Sequence, residues 1–185
     1  MLVDGPDTSR LCDVRRGDAG VDRECEMTWK QVVPVLNPSV RGLCTRPYPG
    51  HPRGCPNHGK RDTCPPAAPL LGEYYDLSRA VWVIWNRFPF GEHVARMQAK
   101  HPDWSDRQLA CCLYWQGTAR KQLEETIAMF TMAVGALSVT RCPEAMGVDV
   151  TATMASLGIS LEWPPGQWAY QVALAGAGAS PEQSR

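Results

Sequence analysis

A chain of 185 residues is long enough to bury a core as one domain without staples. Lys plus Arg and Asp plus Glu number 19 each, so the net charge of zero argues for neither nucleic acid nor a membrane surface. MLVDGPDTSR at the start has no apolar stretch of a signal peptide, and no apolar run approaches the ~20 residues of a membrane span. The expected compartment is therefore the reducing cytoplasm, where disulfides are rare and clustered cysteines serve metals or catalysis.

Residues 1–26 are polar and carry Cys12 and Cys25 among charges, and they read as a poorly packed arm with spectator thiols. A single domain is expected over residues 27–175. Thr28 to Leu36 is rich in β-formers, and Pro34 places it at a sheet edge. The cysteine-rich stretch Cys44–Pro66 follows and has no helical or strand period. Ala80 to Trp85 is nearly continuous apolar and β-branched or aromatic sequence, as in a central strand. Glu92 to Lys100 reads as a short helix.

Ser105 to Gln108 has the form of a capping box opening a long helix, with Leu109, Cys112, Leu113, Ala119, Leu123, Ile127 and Phe130 on its apolar face. Cys112 reads there as packing. Its neighbour Cys111 points about 100° away, so the two do not readily serve one site. Asp149 opens a further short helix that stops at Gly158. Ile159–Trp163 and Trp168–Leu174 flank Pro164-Pro165-Gly166 and predict two strands paired through the turn. Residues 176–185 read as a flexible tail. The sum is an α+β domain: a mixed or antiparallel sheet of about four strands, with about three helices on one face and a long Cys-rich metal-binding loop.

The chemistry concentrates in CTRPYPGHPRGCPNHGKRDTCPP, Cys44 to Pro66. A long segment without secondary structure is functional or disordered, and three cysteines 11 and 9 positions apart argue for a shared tie. Cys55, Cys64 and Cys142 each precede a proline, which constrains how the chain leaves the residue, and a Cys-Pro step closes the bacterial ferredoxin ligand run. Cys44, Cys55 and Cys64, with Cys142 arriving from far along the chain, make a candidate four-thiolate set for a [4Fe–4S] cluster. Zinc on Cys44, Cys55, His58 and Cys64 is an alternative, as are disulfides and plain burial of the thiols. Arg41, Arg46, His51, Arg53, His58, Lys60 and Arg61 face the single acid Asp62 in this stretch. These cations either balance a negative thiolate site or bind an anion.

Two of these segments carry a family resemblance. CPNHGKRDTCPP, Cys55 to Pro66, resembles the signature loop of an uncharacterised family of predicted metal-binding proteins, domain of unknown function 2284. Glu144-Ala145-Met146-Gly147-Val148-Asp149-Val150 is similar to that family's Glu-Ala-x-Gly-Ile-Asp-Val element. The resemblance covers about residues 40–163 and implies metal binding without naming a reaction. His58 stands where the family has tyrosine, and the Cys44–Cys55 step is wider than usual. Of the family's ferredoxin-like cysteines before the second motif only Cys142 is present, which implies one metal centre instead of two.

The expected function is an iron–sulfur protein acting in electron transfer, or as a Lewis-acid site for a small anionic or sulfur-containing substrate. His51, Arg53, His58 and Lys60 are the candidates to hold that substrate, and a redox protein is the other expected partner. A non-enzymatic zinc module that stabilises a partner-interaction surface is the rival. No phosphate-binding loop, dinucleotide fingerprint, His-Glu-x-x-His or nucleophile motif points to another chemistry.

Overall fold

Val81 to Phe88 is apolar at nearly every position because both faces of the strand it forms are covered, one by each layer of a three-layer core. The computed structural model describes residues 28–47 and 51–179. The expected N-terminal arm with Cys12 and Cys25, and residues 180–185 of the expected tail, lie outside the described residues. Within them the strands are β1 (Trp29–Val32), β2 (Val81–Pro89), β3 (Ser138–Thr140) and β4 (Trp168–Gly176). The helices are α1 (Leu71–Tyr74), α2 (Phe90–Lys100), α3 (Asp106–Leu109), α4 (Gln116–Val134) and α5 (Val150–Ala155). Three 3-10 helices, Pro38–Thr45, Cys112–Tyr114 and Pro143–Met146, complete the elements of the described residues.

The sheet runs β1-β2-β4-β3, and every neighbouring pair is antiparallel. Val81, Val83 and Trp85 of β2 pack with Leu71, Tyr75, Met146, Val148, Val150 and Met154 on one face. Ile84 meets Leu123, Ile127 and Phe130 of α4 on the other. The sheet is therefore clad on both faces, not on one as the sequence suggests. No described helix is long and apolar enough to cross a membrane.

Two other expectations change. The long helix expected from Ser105 is broken after Leu109 and restarts at Gln116. Trp115 explains the break: its buried ring lies 5.5 Å from Phe88 and 5.3 Å from Phe90, and its indole N–H donates to the Ala110 carbonyl at 3.3 Å. Ala110 thus gives its carbonyl to a side chain, and Leu113, placed on the apolar face of an unbroken helix, is 84 % exposed. The Gln108 carboxamide accepts from the Ser105 N–H at 3.0 Å, while the Ser105 hydroxyl donates to the same oxygen at 2.9 Å.

Ile159–Trp163 is not a strand. The Glu162 carboxylate accepts the amides of Gly166 and Gln167, each at 2.8 Å, and so closes the turn on itself. Leu157, Ile159 and Leu161 pack on the core as irregular chain, and β4 pairs with β2 and β3 instead.

After β1 the chain crosses to run beside residues 147–149. Asn37 N–H donates to Gly147 O at 2.7 Å, and Asp149 N–H to Val35 O at 2.8 Å. Gly147 has φ of 80°, and a Cβ there would lie 3.2 Å from Pro38 Cα. This crossing lays the Pro38–Thr45 helix against the Pro143–Met146 turn. It brings two of the cysteine-bearing segments together.

Candidate functional site

Cys44 lies in the last turn of the Pro38–Thr45 helix, which Asn37 caps by accepting the Ser39 amide at 3.2 Å. Its carbonyl accepts the Cys55 N–H at 2.7 Å. Gly54 makes that approach possible, because its φ of 79° suits glycine and a Cβ there would sit 2.6 Å from the Cys44 oxygen. From Cys55 the chain descends through successive turns: His58 N–H to Cys55 O at 3.1 Å, Cys64 N–H to Arg61 O at 2.9 Å, and Ala68 N–H to Cys64 O at 3.0 Å. The described part of the stretch is irregular, as its composition predicts, and is held by a series of turn hydrogen bonds. Arg41 fastens the far end by donating to the carbonyls of Pro66 at 3.0 Å and Ala68 at 2.7 Å. Arg41 is thus a structural clamp and is set apart from the remaining basic residues of the loop.

Cys142 caps the Pro143–Met146 turn from its N-terminal side, and its carbonyl accepts the Ala145 amide at 3.0 Å. The preceding Arg141 is ion-paired with Glu124 of α4, which ties this approach to the helix layer. All four expected thiols are half-buried and free. No disulfide forms among the described residues.

Electrostatics define the neighbourhood. Burial pushes the Cys44 thiol up, and the negative charges of Cys55, Cys64 and Glu144 push it the same way. Burial likewise raises Cys142, with Glu144 and Cys64 adding to it and Arg120 and Arg61 opposing. Burial also raises the Glu144 carboxyl, which the backbone N–H of the same residue partly offsets. Glu144 retains exposed surface, even though protein atoms crowd its carboxyl. The four thiols come from three stretches of chain; Cys55 and Cys64 bear on Cys44, and Cys64 on Cys142, but the four are not a finished ligand cage. Among the described residues, no three His, Cys, Asp or Glu side chains stand ready to hold a metal ion.

His51, Arg53, His58 and Lys60 all line one cleft of about 560 Å³ together with Cys44 and Cys55. The four residues that sequence reading set aside for an anion therefore do share a surface. Cys64 and Cys142 are not on its wall. Cys112 packs instead against the Phe88, Phe90 and Trp115 cluster, as expected, and is no part of the site. Glu144 and Arg120 were not singled out from sequence. The position of Glu144 two residues beyond Cys142 is the only local hint, whereas Arg120 arrives by tertiary packing of α4.

Gly54→Ala should lower stability by about 1–3 kcal/mol, since the new methyl must move backbone and not a flexible side chain. A urea melt superimposable on the parent's would show that the Cys44–Cys55 approach is not made in solution. Comparison of the chain with protein-family models, curated proteins and solved structures yields no match.

Proposed function

We propose that Cys44, Cys55, Cys64 and Cys142 hold a metal centre, with a [4Fe–4S] cluster as the leading occupant. The observation that carries the reading is geometric: the Cys55 N–H meets the Cys44 carbonyl at 2.7 Å, and the Pro38–Thr45 helix bearing Cys44 lies against the turn that Cys142 opens. Half-buried thiols crowded with a carboxylate resist ionising beside one another, and a bound cation reverses that penalty by supplying the missing positive charge. Donor chemistry fits iron or zinc, both of which take thiolate ligands. Arg61 and Arg120 lie close enough to Cys142 to favour its thiolate, which suits a centre of net negative charge.

The cleft beside Cys44 and Cys55 supports a partner role for the centre. Its Arg53 and Lys60 suit a small anionic molecule or an acidic patch on a redox protein. The same cleft favours the zinc reading in one respect, because it sets His58 beside Cys44 and Cys55. On that reading the chain is a non-enzymatic module whose metal stabilises a partner-interaction surface. Protein purified without oxygen separates the two. Iron and acid-labile sulfide with broad brown absorbance are expected; a colourless protein with bound zinc supports the module, and a protein that takes up neither metal overturns both.

A further inference from the structure

We propose that α2 is an acid-released latch: the neutral ring of His93 seats this helix on the aromatic cluster of Phe88, Phe90 and Trp115, and a proton on that ring lifts it off. The helix is lightly held. Of the 11 residues of Phe90–Lys100 only Phe90 and His93 are buried, and Val94 packs half-buried on the same cluster. His93 is 3 % exposed, and its ring centroid lies 5.8 Å from that of Phe88 and 6.4 Å from that of Phe90. A backbone bond from Gly91 N–H to Gln167 O, at 3.0 Å, ties the first turn to the chain before β4. A change at His93 therefore acts on one of two buried anchors.

The proton has one place to go. Arginine only donates, so Arg96, with Nη2 3.3 Å from His93 Nδ1, fixes Nδ1 as the acceptor and leaves the neutral ring's hydrogen on Nε2. That Nε2 is buried and pairs with no protein group. A proton from solvent must then take the Nδ1 lone pair. It breaks the bond to Arg96, sets two cations in contact and leaves a charge among apolar rings. Attraction to the faces of Phe88 and Phe90 returns only part of that cost.

The surroundings supply no opposite charge. On α2 the neighbouring Glu92 is exposed, and Arg96 is the charged group that bears on the ring. From β2 comes Phe88, while Arg87 beside it lies over the Trp168 ring at 4.3 Å. To the same cluster β4 adds Ala169, α4 adds Ala119, and the segment before α4 adds Trp115 and the Cys112 thiol. Burial first, and then the like charge of Arg96, hold the His93 imidazole below its ordinary value of about 6.5. A released ring accepts a proton that the seated ring resists. The latch is thus fully closed above about pH 6.5 and weakens as pH falls below it.

The test is amide hydrogen exchange of the full chain between about pH 5 and pH 8, the range in which histidine changes charge, corrected for the intrinsic pH dependence of exchange. Parent, His93→Gln and His93→Phe are compared with a control, His101→Gln, whose ring stacks on Trp104 at 4.0 Å and is not part of the cluster. In parent and control the opening equilibrium of α2 should rise by up to ~10-fold per pH unit below about 6.5, the limit for one proton, while β2 and β4 keep their protection. The two His93 variants have no ring to protonate and should flatten that dependence, whatever their own stability. Equal protection of α2 across the range in the parent overturns the latch. So does a folded His93→Gln with the parent's pH dependence, or a loss of protection spread evenly over the sheet. Should neither variant fold, the imidazole resonance of His93 in the parent decides, since a midpoint at or above about 6.5 overturns the proposal.

Discussion

Phe130→Ala should lower the unfolding free energy by about 3–5 kcal/mol, a large share of the ~5–15 kcal/mol that holds a domain together. Phe130 is fully buried in α4, and its ring meets the edges of Trp29 at 6.1 Å and Trp82 at 5.7 Å. Those two residues come from β1 and β2, so one side chain fixes the helix against two strands. On the sheet beneath lie Ala173 and Ala175, which are too small to fill the void left by a lost phenyl ring. The cost should therefore include most of the cavity penalty. Met132→Ala, two residues further along α4 but 88 % exposed, should change stability by no more than about 0.5 kcal/mol. Urea midpoints at unchanged slope measure both. A loss below about 1 kcal/mol for Phe130→Ala would mean that α4 does not pack on the sheet in this way.

The central strand was readable because β2 needs apolar groups on both faces, and its residue types carry that need locally. Asp149 was readable too, since its carboxylate accepts the Ala152 amide at 2.9 Å within one turn of chain. The helix break before α4 was not. It depends on Trp115 reaching Phe88 and Phe90 on other elements, and nothing between residues 105 and 130 encodes where those rings will be. Ile159–Trp163 misled for a related reason. Its alternation fits a strand, but β4 finds its partners in β2 and β3, so no strand is left for that segment to pair with. Strand order is a tertiary choice that two-residue periodicity cannot express.

The site divides along the same line. Cys44, Cys55, Cys64 and Cys142 stand out by residue type and by the prolines that follow three of them, and the fold sets Cys55 beside Cys44 and lays the helix bearing Cys44 against the turn that Cys142 opens. The close approach of the Cys44 and Cys55 segments was invisible: it depends on Gly54 lodging against the Cys44 carbonyl, and both cysteines line the same cleft. Glu144 was quoted from sequence only as part of a motif, because an acid two positions from a cysteine is unremarkable until the turn between them is seen.

Cys64→Ser and Cys142→Ser should lose bound metal to the same extent, and this equality is the sharpest consequence of the proposed centre. The two residues lie far apart in sequence and in different turns, yet Cys64 is close enough to help raise the Cys142 thiol. If both are ligands, replacing either sulfur with a hydroxyl removes a soft donor from the same ion or cluster, and metal per chain should fall alike. Serine also leaves a polar group in a half-buried place, so a drop in stability alone would be ambiguous. Cys112→Ser supplies the control. Its thiol packs in the aromatic cluster of Phe88, Phe90 and Trp115, so the hydroxyl should cost roughly 1–3 kcal/mol there while metal content stays at the parent's level. Full retention of metal in Cys142→Ser with loss in Cys64→Ser would remove Cys142 from the centre and leave Cys44, Cys55 and Cys64 as an open three-thiolate site. Retention in both would reject the shared centre, because half-buried thiols can lie near one another without ever closing on a common ion.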